Sequence, residues 1–153
     1  MVRVDSIQSA KNKTKLNDKR NITSMNKFKN LHLTSSVVML SIIALVYGFF
    51  PHKIIPVLGE FNPVSNDLKN VFKAIMGLYL SIAIFWTFGI IKPQLWYGAT
   101  LVNILFMFGL ASGRILSFLI DGLPDISMLS GVALEFIIGV WGVLSLKRFS
   151  KPA

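Results

Sequence analysis

Two charged side chains lie inside stretches that otherwise read as lipid-soluble. Arg114 interrupts "FMFGLASGRILSFLIDGLPD", residues 106–125, and Glu135 opens "LEFIIGVWGVLSL", residues 134–146. A guanidinium offers five N–H donors and no acceptor, whereas an ionised carboxylate only accepts. Such a pair can lock two helices together, hold an anionic or polar molecule or a lipid headgroup, or relay a proton or ion. Lys73 and Asp121 supply a second cation and a second carboxylate nearby in the pattern. Lys73, Arg114, Asp121 and Glu135 are therefore the candidate polar cluster.

Their spacing carries the argument further. A tight turn around Pro124 and Asp125 makes the two runs an antiparallel hairpin, in which facing positions have a constant sum. A turn centred between 124 and 125 gives 249, and 114 with 135 is such a pair. Both charges then lie at one depth, about 9 Å from the outer end of their helices at about 1.5 Å per residue. Steps of four and three put Asn103, Met107, Leu110, Arg114, Ser117 and Asp121 on one helix face. By the same rule Met128, Gly131, Glu135, Ile138 and Gly142 share a face, with Gly139 beside it. Gly109 and Gly113 form a GxxxG pair, and with Gly131 and Gly139 they are the expected helix-packing positions.

The elements that must carry these residues are four apolar runs, at about 33–50, 71–91, 95–120 and 128–146. Each is long enough to cross a hydrocarbon core of about 30 Å. The chain is 53% hydrophobic with a mean hydropathy of +0.61, and only 15% of its residues are charged. A soluble domain would carry about 25%. The fold class is thus all-α, an integral membrane four-helix bundle, occupying residues 31–148. "SND" at 65–67 reads as a helix start, Pro51 stops the first span, and the basic "LKRFSK" closes the fourth. Apolar length and the lack of a cleavage site make the first span a retained helix rather than a signal peptide.

Residues 1–30 are rich in Lys and Asn and too poor in apolar groups to offset ordering entropy, so they read as a disordered basic tail. Met25 is a second candidate start. The net charge of +9 is concentrated there, with eight of sixteen basic residues in the first thirty positions. That distribution fits a membrane flank and not nucleic acid. With the N-terminus inside, twelve basic residues fall on the cytoplasmic side and two, Lys53 and Lys69, outside. Both termini, including the short tail 149–153, are expected in the cytoplasm. His32 reads as a flank at the inner edge, and Trp96 with Tyr97 as an interfacial belt.

No cysteine is present, which excludes disulfides and thiolate catalysis. There is no phosphate-binding loop, no HExxH, no GxSxG and no metal-ligand constellation. The expectation is a non-enzymatic protein without catalytic residues, cofactor or metal. Its partners are the lipid bilayer, an unidentified small molecule and, for any transport path through so thin a bundle, further copies of itself.

The blocks "LKNVFKAIMGLYLSIAIFW", "LFMFGLASGRILSFLIDGLPD" and "LEFIIGVWGVLSL" resemble the small bacterial membrane family catalogued as domain of unknown function 4345. The resemblance covers about residues 33–148, and "GRILSFLIDGLP" with the later Glu135 is its most specific part. It implies four helices in a bacterial inner membrane and the importance of Gly113, Arg114, Asp121, Gly122, Pro124 and Glu135, with Lys73 where the family usually has arginine. It implies no activity. The layout is also similar to four-helix membrane proteins of the DoxX type, which implies a redox accessory as an alternative function.

Overall fold

The computed structural model describes residues 29–51, 65–124 and 126–150. These form four helices, with no strand among the described residues: α1 (Lys29–Phe49), α2 (Asn66–Ile91), α3 (Trp96–Asp121) and α4 (Ile126–Phe149). The four-helix unit is His32–Ala153, and the residues before it group separately. The tail at 1–28, His52, Lys53, Asp125 and residues 151–153 lie outside the described residues.

Local chemistry sets the boundaries. α2 begins at Asn66 because the Ser65 hydroxyl accepts from the Leu68 N–H at 3.1 Å, and Asp67 complements the positive end of the helix. It stops before Pro93, which has no N–H to continue the ladder and instead opens a single 3₁₀ turn, Pro93–Leu95, leading into α3. α3 ends at Gly122, whose φ of 101° suits a residue without a Cβ. Lys147 and Arg148 sit in the last turn of α4, where the helix dipole favours cations. α1 and α2 start four and five residues earlier than their apolar runs suggested, since helix continues through polar flanks until a cap stops it.

Each helix is apolar on all sides, yet between 17% and 33% of each apolar stretch is buried within the chain. Leu119, Leu123 and Ile126 are 79%, 86% and 85% exposed. In water such a surface would aggregate; in lipid it is the solvated face. The hydroxyls of Ser36, Ser81 and Thr87 donate back to the carbonyls of His32, Gly77 and Ala83, each at 2.8 Å, which satisfies them without water. Four helices long and apolar enough to span a bilayer define a multi-pass membrane protein.

Van der Waals packing, not water exclusion, must hold such a bundle together. Among α2, α3 and α4 the densest contact is between α3 and α4, followed by α2 with α3. The core comprises Leu33 and Leu40 from α1, Ala83 and Trp86 from α2, Trp96, Ala99 and Met107 from α3, and Ile138 from α4. Close approach is made at Gly48 against Met76, Gly89 against Ala99, Gly139 against Phe108 and Gly142 against Ile104.

Three expectations are corrected here. Gly109 and Gly113 have nothing within reach of an added Cβ among the described residues, so their GxxxG stripe faces outward and does not pack this bundle. An all-round apolar helix does not reveal from sequence which side meets its neighbours. Trp96 is 3% exposed and belongs to the core, while Tyr97 beside it is exposed. His32 is buried rather than a flank, with its ring 6.2 Å from that of Trp96 and 6.5 Å from that of Trp141.

Candidate functional site

The α3–α4 hairpin brings Arg114 and Glu135 together. Arg114 Nη2 lies 3.1 Å from Glu135 Oε1, and Nη1 donates to Met128 Sδ at 3.7 Å. Room for the guanidinium comes from Gly131, where a Cβ would stand 3.1 Å from Nη1. The two side chains are unequally sheltered: 28% of Arg114 remains accessible, against 8% of Glu135. The second carboxylate oxygen, Oε2, is buried and has no hydrogen-bond partner among the described residues. A buried acceptor without a donor costs about 1–3 kcal/mol.

Beside this pair lies a cleft of about 250 Å³. One wall is α1, through Met39, Ile42, Ile43, Val46 and Tyr47; the other is α4, through Gly131, Leu134 and Glu135, with Arg114 reaching in from α3. The Tyr47 ring is held edge-on to Phe72 at 5.7 Å and near Tyr79 at 6.4 Å. The cleft is therefore lined mostly by apolar side chains, and its polar groups are Arg114, Glu135 and the Tyr47 phenol. Sequence reasoning missed the α1 wall, because apolar residues in an apolar helix carry no chemical signal.

The other two members of the expected cluster are placed elsewhere. Asp121 is exposed at the last residue of α3 and accepts from Ser117 Oγ at 2.7 Å. Seven residues separate it from Arg114, about 10 Å along the helix. Lys73 is exposed and has no ion pair among the described residues. Its neighbour Phe72 turns toward Tyr47 of α1, and one residue is about 100° of helical rotation, which carries Lys73 away from that face.

A second buried polar layer lies nearer the chain ends. Thr100 and Asn103 of α3 are wholly buried, and neither the Thr100 hydroxyl nor either amide atom of Asn103 has a hydrogen-bond partner among the described residues. Trp86 Nε1 is in the same condition. Asn103 stands on the α3 face picked out by spacing; Thr100 gave no sequence signal, and Trp86, which from sequence reads as part of an interfacial aromatic belt, is buried. Among the described residues no group of three His, Cys, Asp or Glu side chains could hold a metal ion.

A hairpin carrying one intramembrane ion pair within four lipid-facing helices places the chain among small multi-pass membrane proteins. It belongs to the family described as Domain of unknown function (DUF4345), whose profile matches residues 28–146. No curated protein and no solved structure matches the chain.

Proposed function

We propose that this protein, without catalysing a reaction, binds and helps to move a small anionic or polar ligand at the cleft between α1 and the α3–α4 hairpin. The observation that carries this reading is Glu135 Oε2, an acceptor without a partner among the described residues, in a cleft lined mostly by apolar side chains. Arg114 is the accessible donor beside it. The weight of basic residues supports an orientation with both termini in the cytoplasm and this cleft in the outer half of the cell membrane. Movement of a ligand across the bilayer requires more than four helices, and the outward strip of Gly109 and Gly113 gives a second copy a surface for close approach.

The 3.1 Å contact itself favours a second reading, in which the pair only locks the hairpin. Ligand-induced stabilisation separates the two. The full chain in nanodiscs, titrated with a panel of small anions and polar solutes, should gain thermal stability with at least one of them. Ile43→Trp, which fills the cleft without touching either charge, should abolish the gain. Equal stabilisation of both proteins, or none by any solute, would favour the lock.

A further inference from the structure

The shape and chemistry of the cleft say more about what enters it, on the footing that it is a ligand site. Two of its lining residues, Ile42 and Leu134, are 57% and 46% exposed and form its mouth. Both are apolar and both lie within spans, so the mouth faces lipid and not water. Val38 and Leu45 share the outer face of α1 with Ile42, at helical spacing, and extend the apolar track beyond the opening. At about 30 Å³ for each water-sized group, 250 Å³ holds on the order of eight such groups. That admits a head and the first part of a chain, with the rest of the chain left outside along α1.

The polar end then selects the head. As an ion pair, Arg114 and Glu135 sum to zero charge. Arg114 has N–H groups beyond those engaged by Glu135 and Met128, and Glu135 offers Oε2 as an acceptor. A carboxylate head could only accept, and it would bring a second negative charge against Oε2. An ammonium could only donate, and an ether could only accept. A hydroxyl does both without charge.

We infer that the cleft takes a single-chain amphiphile with an uncharged hydroxyl head, which enters sideways from the bilayer, donates to Glu135 Oε2 and accepts from Arg114. Its chain lies along the Val38–Ile42–Leu45 face of α1.

The test uses the full chain in phosphatidylcholine nanodiscs and three photoreactive probes with a diazirine in the chain: hexadecanol, its methyl ether and hexadecanoate. Cross-linked peptides are mapped by mass spectrometry. The alcohol should label residues 39–47 and 131–135 at least about tenfold more than the ether, the loss expected when a hydrogen bond to a charged acceptor is missing. Ile43→Trp should remove that labelling, and Leu105→Trp, on a lipid-facing position outside the cleft, should keep it. In Glu135→Gln an amide N–H can take the place of Oε2, so the alcohol-over-ether preference should fall to within about twofold. Because this is a ratio, equal partitioning of the probes into lipid cancels.

Equal labelling by alcohol and ether, stronger labelling by hexadecanoate, or labels spread over all lipid-facing helices would each overturn the inference. If a water-soluble solute stabilises the wild type but not Ile43→Trp while the alcohol stays out, only the ligand class is wrong. If nothing enters the cleft, the binding reading falls with it.

Discussion

Removing one member of the Arg114–Glu135 pair should not cost the same as removing the other. In Arg114→Gln the carboxylate stays behind with 8% of its side chain accessible, and little water reaches it. In Glu135→Gln the stranded guanidinium is 28% accessible, can still donate to the Gln carbonyl, and has a long stem with which to reach toward the interface. Neutral side-chain hydrogen bonds between membrane helices contribute about 0.6 kcal/mol on average and at most about 1.7. Charge assistance roughly doubles such values. Breaking a buried pair in a soluble protein costs about 3–5 kcal/mol. Between these limits we expect a loss of about 2–3 kcal/mol for Arg114→Gln, about 1 for Glu135→Gln, and about 1 for the double variant, in which no buried charge remains. Equilibrium unfolding in mixed micelles, with thermal stability in nanodiscs as a cross-check, gives the three values and hence the coupling. The expected coupling is about 2–3 kcal/mol. Equal losses for the single variants, with a double variant at their sum, would refute the claim that Glu135 depends on Arg114.

Three further outcomes follow from other parts of the bundle. Gly142→Ala should lose about 1–3 kcal/mol in the same unfolding assay, because its Cβ would stand 2.8 Å from Ile104 Cγ1, whereas Gly109→Ala, which meets open space, should stay within about 0.5 kcal/mol or gain. Asn103→Leu should be neutral or stabilising by about 1 kcal/mol, since neither amide atom has a partner among the described residues; a loss instead would reveal a bound water or ligand there. The chain has no cysteine, so single cysteines at Ser150 and at Leu123 report topology cleanly: an impermeant maleimide on intact cells should label Leu123→Cys and leave Ser150→Cys unmodified.

The hairpin was legible because its two determinants are local. Apolar length sets the helices, and a short turn at Pro124 fixes which residue of one faces which of the other, so the depth of Arg114 and Glu135 could be counted along the chain. Rotation about each helix axis was not legible. A soluble helix announces its buried face by polar residues on the other side, but α2 and α3 carry apolar residues on every side. Hence Lys73 could be placed at a depth yet not on a face, and the Gly109–Gly113 stripe could be noticed without its direction. Burial of His32 and Trp96 is a tertiary fact as well, since the His32 ring meets those of Trp96 and Trp141, both more than sixty residues further along the chain.

Met107, which is wholly buried, and Ile138, 5% exposed, have a bearing on the membrane's electrical integrity. They lie between the Arg114–Glu135 pair and the Thr100–Asn103 layer, which are about 16 Å apart from Arg114 to Asn103 along α3. The buried side of α3 over that interval is Ile104, Met107 and Ala111, and on α2 the rings of Tyr79 and Trp86 close edge-on against Phe106 at 5.5 Å each. An ion that reached the Arg114–Glu135 site would face packed apolar side chains, with Ile104, Met107 and Ala111 on the buried face of α3 offering nothing to replace its hydration. Among the described residues, packed side chains of α2 and α3 thus separate the cleft from the second polar layer. Any movement of a ligand past them would need a path that a second copy helps to form.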